Sequence, residues 1–201
     1  PRLASPSGWA RLWTEGYWHT PGGDALGGWR PLTSTTYAPN RAVFGSHPWS
    51  FHVINTLLHG AVTLVLLGLA LEILGALWPA ALAAAVFAVH PLHTEAVANV
   101  VGRAELLAAL FALLAWQAHR CGQPVRSVLF FALGAVSKES ALTILAVMLL
   151  DDLLGRPGGV APVRWRVGEW AALAACAVAF VGARWAVLGQ MGLGQVGSGL
   201  V

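Results

Sequence analysis

Ser127-Val-Leu-Phe-Phe-Ala-Leu-Gly-Ala-Val-Ser-Lys138-Glu139-Ser-Ala-Leu-Thr-Ile-Leu-Ala-Val-Met-Leu-Leu150 is the stretch that decides the fold. It is apolar throughout except for Ser137-Lys138-Glu139-Ser140 at its centre. As a single helix it is long enough to cross a bilayer. That helix would bury Lys138 and Glu139 near the midplane, at roughly 2.5–3.5 kcal/mol per charge. As a hairpin of two short helices it places both charges at a turn. Loop charge separates the two forms. A single helix puts Arg120 and Arg126 on the opposite side from Arg156, Arg164 and Arg166. A hairpin puts both basic loops on one side, as the positive-inside rule prefers. The hairpin is the expected form.

The rest of the chain agrees with a membrane protein. Of 201 residues, 57% are hydrophobic and 10% charged, where soluble domains carry about a quarter charged. Mean hydropathy is +0.65. No charge lies between Arg41 and Glu72, nor between Glu72 and Glu95. Disorder is excluded, because that much apolar surface cannot stay in water. Spans are expected at about Phe51–Leu74, Leu77–His90, Ala104–His119 and Val167–Leu188, with a short amphipathic stretch from His93 to Gly102. With the hairpin counted as two, the fold class is an all-α polytopic bundle of about six membrane segments. Residues 1–48 form a Trp-rich segment, with Trp9, Trp13, Trp18 and Trp29 and with Trp49 just beyond. It is read as lying on the membrane interface, with a small water-exposed loop domain as the alternative. Pro21 to Asp24 mark a turn. Residues 49–188 form the bundle, and the Gly-rich 189–201 a truncated loop. The chain is expected to be a fragment.

The net charge is +3. With one lysine and no Lys/Arg run, nucleic-acid binding is a poor reading. Cys121 and Cys176 suggest neither disulfides nor zinc. No dinucleotide or phosphate-binding glycine loop is present.

The hairpin topology gathers His90, His93, Glu95, Arg103, Lys138, Glu139 and Arg184 at the face away from the basic loops. Several cations at one membrane face suit a phosphate with a lipid tail, Arg gripping it in a fork and Lys acting as a point charge. Ionisable residues are rarely placed in membranes without use. The plainer reading is ion-paired helix ends, Glu139 with Lys138 or Arg184 and Glu105 with Arg103. His52, Asn55 and His59 share one helix face and are expected to hydrogen-bond neighbouring helices. His90-Pro-Leu-His93-Thr-Glu95 is an incomplete metal set, better read as a span end or pocket wall. Asp151-Asp152 read as a solvated helix end facing Arg156.

Four strings in order carry a resemblance: Trp29-Arg-Pro-Leu-Thr-Ser-Thr-Thr36, Phe51-His-Val-Ile-Asn-Thr-Leu-Leu-His59, the run from Ala88 to Glu105, and Ser137-Lys-Glu139 followed by Asp152. Together they resemble the transmembrane and tetratricopeptide-repeat O-mannosyltransferase family and its bacterial relatives, which are similar in architecture to GT-C glycosyltransferases. The resemblance implies a partial GT-C-like core. It implies transfer of a mannose-like sugar from a polyprenyl-phosphate carrier to a protein Ser or Thr hydroxyl on the extracytoplasmic side. Lys138 and Arg184 would lie near the phosphate, with Arg103 as a third cation and Glu139 beside them. His90, His93 and Glu95 would shape the pocket or assist the acceptor. A divalent metal is compatible with this fold class but not required. The partners implied are the bilayer, a lipid-linked donor and a protein acceptor. The family's acidic catalytic motif is expected upstream of Pro1, since Glu15 and Asp24 are the only acids in residues 1–48. The fragment alone is therefore expected to be inactive. The Ala/Gly-rich bias hints at a bacterial inner membrane. Rival readings are a transporter, a non-catalytic anchor or scaffold, and a haem carrier using His52 and His59.

Overall fold

The computed structural model describes residues 6–14, 17, 28–154 and 166–189. The regular structure among them is entirely helical. Two helices precede the bundle, α1 (Pro6–Thr14) and α2 (Pro31–Phe44). The bundle comprises α3 (Pro48–Leu74), α4 (Leu77–Val89), the short α5 (Thr94–Ala98), α6 (Arg103–Arg120), α7 (Pro124–Ser137), α8 (Ile144–Leu154) and α9 (Val167–Leu188). Turns of 3₁₀ helix at Pro91–His93, Val100–Gly102 and Glu139–Thr143 link them.

The boundaries have local causes. Proline opens α2, α3 and α7 at Pro31, Pro48 and Pro124, where the missing N–H is not needed. Gly75, at φ 65°, closes α3 in the left-handed conformation. Pro91 stops α4 by holding His90 extended. The decisive stretch breaks where its charges sit. Lys138 leaves α7 at φ −162° and ψ 143°, and the chain restarts as 3₁₀ helix at Glu139.

Contacts fix the directions. Lys138 pairs with Glu105 at the start of α6, and Asp152 reaches His119 at its end. So α7 runs antiparallel to α6 and α8 returns beside it, which is a hairpin. Glu169 meets His119 and Arg184 meets Glu139, so α9 runs back again. One end of the bundle carries Lys138 and Arg184; the other carries Glu72, His119, Arg120, Arg126 and Arg166.

The expected count of six membrane segments is not matched by helix length. Among the described residues, three helical stretches are long and apolar enough to cross, at 48–74, 100–120 and 167–188, and a fourth if Leu77–Val89 and Pro91–Ala98, bent by 47°, count as one. The α7 helix is apolar but short. Large apolar side chains such as Leu64, Trp78, Leu82 and Leu153 point outward, each more than 60% exposed, as a bilayer-facing surface requires. The chain is a multi-pass membrane protein.

Small residues let the helices approach. Ala108, Ala112 and Ala115 line one stripe of α6, and Phe131, Met148 and Leu173 close over it, each fully buried. Trp29 packs inward. It is 5% exposed, stacks on Phe180 at 5.7 Å and donates to the Trp13 carbonyl. The side chains of Trp9 and Trp18, and residues 21–24, lie outside the described residues.

Gly102 opens the path to α6 by passing against the Ala96 backbone. A Cβ there would be driven into the Ala96 carbonyl. Gly102→Ala is expected to destabilise the protein by about 3 kcal/mol, read as a lowered midpoint of thermal unfolding in detergent, whereas Gly60→Ala, with open space around it, should not.

Candidate anion site at the Lys138–Glu139 break

The break holds Glu139 between two arginines from distant parts of the chain. Arg30 Nη2, just before α2, lies 3.5 Å from Glu139 Oε1. Arg184 Nη1, in the last turns of α9, lies 3.3 Å from Oε2. Both are looser than a charge-assisted hydrogen bond. Arg30 Nε is buried without a hydrogen-bond partner, and the Arg30 guanidinium also sits over the Tyr17 ring at 5.3 Å. Thr33 Oγ1 donates to the Ser137 carbonyl at 2.9 Å and fixes α2 on the break. Burial pushes the Glu139 carboxyl up, but its own backbone amide, Arg30 and Arg184 outweigh this and hold it below the usual range. Burial and Arg30 lower the Lys138 ammonium, while Glu139 and Glu95 oppose them. Arg30, Glu139 and Arg184 thus meet at the break, with Lys138 adjacent and paired with Glu105.

Arg103 is not presented at this site. It is 1% exposed. Its Nε donates to Asn55 Oδ1 at 3.2 Å, Nη1 to the Thr36 carbonyl at 3.2 Å and Nη2 to Asn40 Oδ1 at 2.7 Å. The Tyr37 ring lies 4.7 Å below the guanidinium. Burial, reinforced by Tyr17, pushes the Tyr37 phenol well up, so it stays neutral and donates to the Val100 carbonyl. Asn55 also donates to the Asn99 carbonyl, and Asn40 to Ser50. All of this guanidinium's hydrogen bonds go to neutral acceptors that bind α2, α3 and α6 together. Its expected ion pair with Glu105 does not form, because Glu105 goes to Lys138.

His90 and His93 belong to a different cluster. His90 Nδ1 accepts from the Leu92 amide and caps the turn after Pro91. His93 lies 4.2 Å from the Phe87 ring and 5.2 Å from His59. Among the described residues no hydrogen bond or ion pair joins either histidine to Glu139. Of the polar stripe on α3, Asn55 and His59 do bond neighbouring segments, His59 through the Ala88 carbonyl at 3.0 Å, whereas His52 is exposed. Among the described residues no group of three or more His, Cys, Asp or Glu side chains could hold a metal.

Asp151 and Asp152 are not a solvated helix end. Their side chains are 14% and 3% exposed. Asp151 accepts from Trp116 at 2.9 Å and from Arg120 at 2.6 Å. Asp152 accepts from Trp170 at 3.0 Å and meets His119. The helix end is buried because α6 and α9 close over it. Arg156, the expected partner, lies outside the described residues. Two buried charged or polar centres escaped sequence reasoning: Arg30, in a segment read as interfacial, and His119, read as the last residue of a span.

The chain has known sequence relatives. The chain is 36% identical over 175 residues to the protein O-mannosyl-transferase Tmtc2 of Drosophila melanogaster, covering 79% of this chain and 19% of that protein. It is 33% identical over 159 residues to the human protein O-mannosyl-transferase TMTC2, covering 72% and 19%. It is 37% identical over 131 residues to the protein O-mannosyl-transferase F38B6.6 of Caenorhabditis elegans, covering 63% and 19%. The chain thus spans about a fifth of the length of these relatives. No family model and no solved structure matches. On this similarity the chain belongs to the TMTC protein O-mannosyl-transferase family.

Proposed function

We propose that this chain forms the donor-phosphate site of a membrane O-mannosyltransferase. The full protein would move a sugar from a polyprenyl-phosphate carrier to a Ser or Thr hydroxyl of a protein on the extracytoplasmic side. The observation that carries the reading is Glu139 held loosely between Arg30 and Arg184, with Lys138 adjacent. A phosphate could bridge the two arginines and give the orphaned Arg30 Nε an acceptor. The apolar outer surface of the bundle suits a lipid-borne substrate. The relatives' names supply the sugar and the acceptor class.

The chemistry is an inverting displacement. A carboxylate takes the proton of the acceptor hydroxyl. The oxygen attacks the anomeric carbon, and the carrier phosphate leaves with the bonding electrons. Arg30, Lys138 and Arg184 stabilise the charge that gathers on that phosphate. Glu139 holds the arginines apart at a fixed spacing until the phosphate arrives.

A scaffold role would also pair each of these cations with a carboxylate, and it makes the opposite forecast. In the full-length protein, Lys138→Ala and Arg184→Ala are expected to lower transfer from a polyprenyl-phosphate sugar by about 100-fold or more. Wild-type turnover in both would leave the scaffold reading. Arg30→Lys should raise the donor KM, because an ammonium cannot replace the guanidinium fork. Acid should act through Glu139. Its carboxyl lies below the usual range in the folded protein, so its stabilising effect is complete above the unfolded-state value and is lost as pH falls through the folded one. Glu139→Gln should remove that acid limb from a plot of unfolding midpoint against pH; an unchanged limb assigns it to another carboxylate.

A further inference from the structure

The elbow between α2 and α3 holds a groove that the candidate site does not use. Pro39, Val43 and Phe44 of α2, Ile54 and Leu58 of α3 and Leu107 of α6 line it. Its volume is about 300 Å³, at the lower end of the range for ligand pockets. Thr36, Asn40 and Arg103 also border it, but their polar atoms are already engaged. Thr36 Oγ1 donates to the Thr33 carbonyl, Asn40 is bonded to Ser50 and to Arg103, and each Arg103 nitrogen has its acceptor. A ligand that brought polar atoms into this groove would leave them unsatisfied. That excludes a sugar or a peptide backbone and leaves a hydrocarbon chain.

The surroundings say where such a chain comes from. Val43 and Phe44 are exposed, and so are Val53 and Leu57 next to Ile54 and Leu58. The groove is therefore continuous with the apolar surface that α3 turns to the bilayer. Ile54 and Leu58 lie six and ten residues past Pro48, the start of α3, which is about 9 and 15 Å of helix. That is the depth of one leaflet's acyl chains in a hydrocarbon core about 30 Å thick. The headgroup level is marked at the same end. Phe44 meets the exposed Trp49 edge-on at 5.5 Å, and aromatic rings of this kind collect at membrane–water interfaces.

Arg41 is exposed and lies one turn before Phe44 on the same side of α2. The sequence has no acid between Asp24 and Glu72, and among the described residues no carboxylate pairs with Arg41. A phosphodiester would give this guanidinium a two-pronged partner. An apolar slot at acyl-chain depth and a free cation at its mouth match the two ends of one lipid. We propose that the α2–α3 elbow binds a phospholipid of the surrounding bilayer, with an acyl chain in the groove and the phosphate on Arg41. An anionic headgroup is preferred, because a zwitterionic one would bring its own ammonium up to the arginine. This lipid is distinct from a sugar donor. Arg30, the cation of the Glu139 break, is eleven residues from Arg41, about 16 Å along α2, so the two phosphates would share no cation. The proposal does not depend on the donor-phosphate reading. The lipid completes the packing of α2, whose other end fixes the break through Thr33.

The test uses the full-length protein in phosphatidylcholine nanodiscs doped with a phosphatidylglycerol that carries a diazirine in mid-chain. Adducts formed on irradiation are mapped by peptide. Those on residues 39–44 and 54–58 should saturate with the probe and be displaced by unlabelled phosphatidylglycerol. Those on Trp78 and Leu82, on the outward face of α4, should rise in proportion to the probe. Arg41→Gln should weaken retention of the probe about 5-fold, the contribution of one arginine at an anionic membrane surface. Leu58→Trp, which fills the groove, should bring labelling there down to the α4 level. If that variant does not fold, the competition series on the wild type and Arg41→Gln decide. Groove labelling that never saturates, or that unlabelled phosphatidylglycerol does not displace, overturns the proposal. So does displacement by a polyprenyl phosphate alone, which gives the groove to a donor tail. Absence of groove adducts overturns it too, since another helix of the full-length protein then covers the site. Saturable labelling that Arg41→Gln leaves unchanged overturns the headgroup assignment.

Discussion

A charged pair in the middle of an apolar run must be turned out of the bilayer or paired within the protein, and the chain does both. Lys138 leaves the helix extended, so the two charges sit at a turn, and each then finds a partner from another helix. From this break follow the antiparallel course of α7, the return of α8 to the level of His119, and the arrival of α9 with Arg184 beside Glu139. Had the stretch stayed one helix, α9 would run the other way and Arg184 would lie at the far face. The break thus places the site and orients the last helix.

The buried polar groups divide into two chemical kinds. Arg103 is held by neutral amide and carbonyl oxygens, with a ring beneath it. A guanidinium keeps its charge at any accessible pH, so this junction of α2, α3 and α6 does not respond to acid or base. Glu139 is held by ionised partners and does respond. The fixed junction joins the N-terminal helices, and contacts through carboxylates hold the two C-terminal helices on them.

What could be read from the sequence follows the reach of each signal. The spans were legible because apolar runs and prolines act locally: α3 and α9 end at Leu74 and Leu188, where they were expected. The hairpin was legible because a charge near the midplane is expensive wherever it occurs. The Glu139–Arg184 pair could be named once the topology was fixed. Arg103 was misread, because a cation beside a phosphate and a cation fixed by asparagines look alike until Asn40 and Asn55 are seen to converge on it. Asp151 and Asp152 were misread for the converse reason. A helix end looks solvated in sequence unless a histidine thirty residues earlier is known to lie above it. Arg30 carried no signal beyond its place after Trp29, and only the burial of that tryptophan against Phe180 brings it to the break.

The Arg103 junction also bears on how the chain is made. A guanidinium cannot settle in a membrane before its acceptors exist. Thr36, Asn40 and Asn55 all precede Arg103 in the sequence, so a chain emerging from its N-terminus has them in place when α6 arrives. His119 has the opposite order, since Asp152 and Glu169 are both synthesised later. Domains assemble from the N-terminus during synthesis. The junction of α2, α3 and α6 can therefore close as α6 arrives, while the far end of the same helix carries one polar ring still waiting for the two helices that will enclose it.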